Sequence, residues 1–233
     1  MREIRRAEDR GHADHGWLRS AHTFSFGGYM DPRFRGFRDL LVINDDRVAG
    51  GRGFGTHPHT DMEIVSYVLS GALEHRDSMG NGEVLHAGEV QRMSAGTGVR
   101  HSEFNHSRTD EVHFLQMWVM PQQKGLEPSY EQKHFPPSER RGRWQPLVSP
   151  SGEEGSLKIH QDVRLLGTVL ESGDRVALDV DPGRFGWLHV ARGRVQLADG
   201  TELESGDGLA FDGDEQLELM GVDASEVLVW DLS

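Results

Sequence analysis

His57 and His59 stand one residue apart in GFGTHPHTDMEIVSYVLSG (residues 53–71), and His101 and Glu103 repeat that spacing in SAGTGVRHSEFNHS (residues 94–107). In an extended strand residues i and i+2 face the same side, so each pair can aim two donor groups at one point. Three neutral imidazoles and one carboxylate suit a divalent first-row metal that keeps positions open for a substrate and O2. One such pair is weak evidence, because two histidines in a polar turn look the same. Two pairs on neighbouring strands, separated by glycine turns, form a strong pattern. The spacing does not choose the metal: affinity favours Cu and Ni, cellular supply often favours Fe, and Co, Mn and Zn also fit the donor types.

The elements that must position these residues read as strands. The 233-residue chain holds 29 glycines and no cysteine, so disulfides, thiolate nucleophiles and iron–sulfur clusters are excluded and any metal must rest on His, Asp and Glu. Short β-type runs recur from Leu40 onward: LLVIN, EIVSYVL, ALEHRD, VQRMSA, RHSEFN and VHFLQMWVM, then VALDV, FGWLHVARGRVQL and EVLVWDL. Even spacing of short strands predicts an all-β barrel or jelly roll. Asp199-Gly200 marks a hairpin turn, and residues 1–40 read as an irregular leader. The Pro-rich stretch at residues 131–156 predicts a linker between an N-terminal domain (residues 1–130) and a C-terminal one (residues 157–233). Within that linker Arg140, Arg141 and Arg143 read as a solvated basic patch.

A formal charge of −13 argues against a broad nucleic-acid surface. No apolar run approaches a membrane span and the N-terminus lacks a signal-peptide core, which predicts a cytoplasmic protein. The two halves also resemble each other. SYVLSGAL…HAGEV aligns with LHVARGRV…ESGDGLAF, Gly71 and Gly88 matching Gly193 and Gly206. Offsets from these glycines place Asp179, Asp181, Leu219 and Gly221 at the positions of His57, His59, His101 and Glu103. Half the ligand set is then missing, and the second domain is expected to hold no metal.

GTHPHTDME followed by GEVQRMSAGTGVRHSEFN resembles the two sequence motifs of the cupin superfamily. With HTFSFGGYMDP, LLVINDD, EHRDSMGN and LQMWVMP, the chain from residue 11 to about 130 is similar to the pirin family in particular. That resemblance implies two tandem cupin domains, the first with one mononuclear metal, usually Fe(II), held by His57, His59, His101 and Glu103. It implies a quercetin 2,3-dioxygenase acting on a flavonol and O2 with release of carbon monoxide, Glu103 being the candidate base for the 3-hydroxyl proton. The alternative is a non-catalytic metal-binding regulator that works through protein partners, as some animal pirins are described.

A common cupin takes its carboxylate from the position of Glu63. Here seven residues rather than six separate it from Gly71, so Glu103 is preferred and Glu63 is placed near the site. Pro58, between two ligands, removes a backbone donor at a strand end. Met93, Phe114, Met117, Trp118 and Met120 are expected to fill or line the barrel. His75, His86, His106 and His113 read as ordinary strand or turn histidines, and His12, His15 and His22 as surface or packing residues. Ligation by neutral imidazole predicts metal loss below about pH 6.

Overall fold

The computed structural model describes residues 2–213 and 216–233. It divides into two compact units: residues Gly11–His134 with Leu157–Gln161, and residues Met1–Arg10 with Phe135–Ser156 and Asp162–Ser233. Both are built almost wholly from strands, as the sequence predicts. No described helix is long and apolar enough to cross a membrane.

The chain begins with β1 (Arg2–Arg5), which belongs to the second unit. The first unit follows with β2 (Gly11–Asp14), β3 (Leu18–His22), β4 (Leu40–Val48), β5 (Gly53–His59), β6 (Glu63–Ser70) and β7 (Ala72–Asp77). It continues through β8 (Gly82–His86), β9 (Glu89–Ser94), β10 (Val99–Asn105), β11 (Val112–Val119) and β12 (Ser129–His134). A seven-stranded sheet in the order β12-β9-β6-β11-β4-β3-β2 and a four-stranded sheet in the order β5-β10-β7-β8 make up this barrel. Its core gathers Leu18, Val48, Val68, Leu73, Leu85, Val112 and Phe114.

The second unit contains the short helix α1 (Pro137–Arg140) and β13 (Gln145–Ser149); β14 (Leu157–Lys158) returns to the first. Then come β15 (Val163–Leu170), β16 (Arg175–Leu178), β17 (Phe185–Arg192) and β18 (Arg194–Leu197). The last strands are β19 (Glu202–Glu204), β20 (Gly208–Asp212), β21 (Leu217–Gly221) and β22 (Ser225–Leu232). Its larger sheet runs β1-β20-β17-β22-β15-β13 and its smaller one β16-β21-β18-β19, in the same order as their counterparts in the first barrel. The repeat glycines Gly71, Gly88, Gly193 and Gly206 all hold φ between +69° and +91°. That left-handed conformation costs a residue with Cβ more than it costs glycine, which explains why the turn glycines mark the repeat.

Three features differ from those expected. The Pro-rich stretch is not a free linker: it closes β12, forms α1 with Pro137 in its first turn, and supplies β13 as a sheet strand. Proline is tolerated in a first helical turn, so its abundance there did not mean open coil. Arg140 is not solvated either. It is buried and paired to Glu226 at 2.7 Å. The leader is likewise ordered into β2 and β3, and β1 pairs antiparallel with β20.

Candidate metal centre

Strand β10 alternates strictly between buried and more exposed residues, and Val99, His101, Glu103 and Asn105 form its buried series. That alternation carries His101 and Glu103 into the barrel together. On one side β10 pairs with the edge strand β5, with Val99 opposite His59 and His101 opposite His57. Beyond this point the register slips, and Glu103 faces Phe54. Such a bulge inserts one extra residue and reverses the parity of the residues beyond it. Phe54, His57 and His59 therefore all line one cavity. Pro58 sits on this edge strand, where a missing donor costs no ladder bond.

The three histidines converge. The donor atoms of His57, His59 and His101 lie within 4.8 Å of one another, with ring centroids 4.5–4.9 Å apart. His57 donates its Nδ1–H to the Gly55 carbonyl at 2.8 Å, which leaves Nε2 bare. That Nε2 stands 3.0 Å from His101 Nε2. Two ligands at right angles on bonds of about 2.1 Å are separated by about 3.0 Å, so the spacing fits a shared metal ion. Burial, then the neighbouring His101 and His57 rings, lower the His59 pKa to about 4. Burial, then His57 and His75, lower that of His101 to about 3. Neutral rings with facing lone pairs are what a divalent cation needs.

Glu103 is buried and accepts three hydrogen bonds. Ser66 Oγ and Gln91 Nε2 donate to Oε1 at 3.3 and 3.1 Å, and Gln116 Nε2 donates to Oε2 at 2.6 Å. It lines the same cavity as His57 and His59. Its carboxylate falls within ligand distance of His101, in a group with His75 rather than with His57 and His59. The cavity above these residues has a volume of about 350 Å³, within the range of small-molecule sites. Phe26 and Trp118 form an aromatic wall with ring centroids 5.5 Å apart, and Trp118 meets His59 edge-on at 5.0 Å. Met93, Phe114 and Met117 are core residues, whereas Met120 is exposed.

Glu63 lies elsewhere. On β6 it has the opposite parity to Ser66, which faces Glu103. Its carboxylate accepts hydrogen bonds from Ser94 Oγ at 2.9 Å and from the His160 backbone N–H at 3.3 Å. Burial raises its pKa despite these bonds and the charge of Arg92. Glu63 thus anchors the returning segment at residues 157–161 rather than flanking the metal centre.

From the sequence His15 and His22 read as surface or packing residues, and Asn44 and Asp46 are not singled out. His15 and His22 line the cavity, and His22 Nδ1 lies 2.8 Å from Asn44 Oδ1. Asp46 is buried in the same wall, and its Oδ1 has no hydrogen-bond partner among the described residues. Burial pushes its pKa up to about 7, against a bond from Ser20 and with help from the nearby Asp45 and Glu103 charges. The signal was present: in LLVINDDRV, Asn44 and Asp46 share parity with Leu40, Val42 and Val48. His113 bonds Asp45 and His106 bonds Glu74, away from the three-histidine cluster.

In the second barrel the strand register replaces two of the four expected equivalents. Leu219 of β21 faces Val176 of β16 and Leu197 of β18, as His101 faces His57 and Asp77. The His57 and His59 positions are therefore taken by Val176 and Leu178, and not by Asp179 and Asp181, which are exposed. Glycine offsets misplace them by three residues because the connections differ in length. The expected lack of metal ligands holds more firmly, since Val176, Leu178 and Leu219 belong to the apolar core.

Residues 3–119 match the family model described as Pirin, and residues 146–232 match the quercetinase C-terminal cupin domain. A relative from Escherichia coli K12 named quercetin 2,3-dioxygenase is 47% identical over 229 residues, covering 98% of this chain and 97% of its own. The structure of the bacterial pirin YhhW from Escherichia coli in complex with nickel(II) superposes with a TM-score of 0.94 at 47% identity, covering 100% of this chain and 99% of that one. GK1651 from Geobacillus kaustophilus superposes with a TM-score of 0.80 at 26% identity, covering 99% and 95%. Matches to both halves and a full-length relative at this identity agree with the barrel repeat and the histidine cluster: the chain belongs to the pirin family.

Proposed function

We propose that this protein is a metal-dependent dioxygenase that opens the central ring of flavonols such as quercetin, in which His57, His59, His101 and Glu103 hold one divalent metal, Fe(II) by preference. The observation that carries this reading is the convergence of the His57, His59 and His101 imidazoles, the first two of which line an aromatic-walled cavity. The nickel(II) complex of the related bacterial pirin supports a divalent first-row ion in such a site. The name of the Escherichia coli relative supports the substrate class.

When bound, the metal supplies a Lewis-acid and redox centre for the substrate's 3-hydroxyl oxygen and for O2. Trp118 and Phe26 receive the flat rings by stacking and edge contacts. Glu103 takes the 3-hydroxyl proton, its carboxylate held in place by hydrogen bonds from Ser66, Gln91 and Gln116. Over the whole reaction both atoms of O2 enter the ring-opened ester, and the excised ring carbon leaves with its oxygen as carbon monoxide.

The test is metal analysis of the purified protein, followed by loading with Fe(II), mixing with quercetin in air and following the loss of visible absorbance with detection of carbon monoxide. Turnover that falls at least about 100-fold in Glu103→Gln supports the reading. A metal-loaded wild type that never consumes a flavonol overturns the enzymatic part and favours the regulator.

A further inference from the structure

Behind His101, on the side away from His57, lies a second buried histidine that the metal centre does not use. His75 stands on β7 opposite Glu103 and is fully buried. Its Nε2 lies 3.1 Å from Asp77 Oδ2, and its Nδ1 lies 3.5 Å from His101 Nδ1. Asp77 in turn accepts hydrogen bonds from the Met79 and Asn81 backbone N–H groups and from Asn81 Nδ2, at 2.9, 3.0 and 2.8 Å. These bonds fix the carboxylate before either ring is considered.

Donor and acceptor roles are then set by elimination. A carboxylate with three donors around it accepts, so His75 Nε2 carries the hydrogen that points at Asp77. A neutral His75 then has a bare Nδ1, which can only accept. His101 must give its Nδ1–H to that acceptor, and its own Nε2 is left bare towards His57 Nε2. Each step removes one tautomer, and the last fixes which nitrogen faces the metal position.

A second arm ties the same layer to Glu103. The Tyr130 ring stacks on His75 with centroids 4.7 Å apart at 23°. Its hydroxyl lies 2.8 Å from Gln132 Oε1 and 3.2 Å from Gln91 Oε1, and Gln91 Nε2 donates to Glu103 Oε1 at 3.1 Å. One aromatic ring thus supports the partner of His101 and, through Gln91, the carboxylate.

We propose that His75, oriented by Asp77 and packed by Tyr130, is the positioning residue that sets the tautomer and ring angle of His101 and thereby the metal affinity of the site. This rests on His101 being a metal ligand, as proposed above, but not on the identity of the substrate. His75, His101 and Glu103 also form a compact donor group of their own. The rival is therefore a second metal ion on that group, which would need His75 and His101 to ligate on their facing sides.

The experiment compares His75→Asn with His75→Leu in the full chain. Asparagine can return an acceptor near the place of His75 Nδ1, whereas leucine cannot, and both remove the same bond to Asp77, which keeps those from Met79 and Asn81. Affinity for Zn(II) and Ni(II) is read by competition with a chelator. The expected result is a roughly 10–100-fold loss in His75→Leu, partly restored in His75→Asn. Equal affinities in wild type and both variants overturn the proposal, as does binding of two metal ions per wild-type chain. Should the variants fail to fold, ring-nitrogen NMR of the zinc-loaded wild type decides. Hydrogens on His101 Nδ1 and His75 Nε2 support the relay, and a hydrogen or metal on His75 Nδ1 overturns it. A protein that binds metal with this pattern yet leaves quercetin untouched refutes the dioxygenase reading alone.

Discussion

The two barrels hydrogen-bond their small sheets in the same order, β5-β10-β7-β8 in one and β16-β21-β18-β19 in the other. At matching register positions one presents His57, Asp77, His75 and His101, and the other Val176, Leu197, Val195 and Leu219. Each buried Val or Leu adds roughly 1.5–3 kcal/mol to its barrel. The first barrel gives up that stabilisation for imidazoles held close together, and must satisfy the polar groups behind them. A metal site in this fold is therefore a whole polar layer, from Asp77 through His75 and His101 and from Tyr130 through Gln91 to Glu103.

The sharpest way to break that comparison is to remove one ligand. His101→Ala should abolish bound metal and lower turnover at least about 100-fold, measured by metal analysis and flavonol consumption. Retained metal would mean that the remaining donors suffice. The converse experiment moves histidines into the silent barrel. Val176→His with Leu219→His should destabilise the protein by about 3–5 kcal/mol in denaturant unfolding and bind no metal, because nothing in the apolar core around Val176 and Leu219 accepts the outer ring hydrogens.

Smaller effects sharpen the polar layer itself. With Asp46 raised to about 7, the folded state keeps a proton that the unfolded chain has lost. The stability this group contributes declines as pH rises from about 4 through 7. Asp46→Asn in the metal-free protein should therefore stabilise at pH 8 by about 1–3 kcal/mol and change little at pH 4, read by denaturant unfolding. His59 and His101 act in the opposite sense. Their folded pKa values of about 4 and 3 lie below the unfolded value, so the metal-free protein loses stability as pH falls from about 6.5 to 4. Protons then compete weakly at these two rings, and half-loss of metal is expected below about pH 5 rather than near 6; loss already complete at pH 6 contradicts this. The smallest change is Glu63→Gln, which should leave metal content unaltered and cost about 1 kcal/mol at the Ser94 and His160 contacts.

The same-side pairing of His101 with Glu103 was legible in the sequence because strand parity is a local rule, and both residues obey it within one regular strand. The equivalents in the second barrel were not, since their placement depends on the length of each connection as well as on the glycines. Glu63 was misplaced for a related reason: its spacing from His59 suggests proximity, but its parity on β6 turns it to the other face. Arg140 looked solvated because its partner, Glu226, lies 86 residues away. The relay through His75 was invisible because it depends on three strands and on which nitrogen of each ring bears hydrogen.

Strand β1 has a bearing on synthesis. Arg2 to Arg5 pair with Phe211 to Gly208, so β1 has no partner until roughly two hundred residues later in the chain. It must wait as a solvated strand, whereas the histidine-bearing barrel has all of its own residues once Gln161 is made and can already close. A bulky insertion just ahead of β1 should consequently slow the closure of the second barrel and leave that of the histidine-bearing barrel untouched.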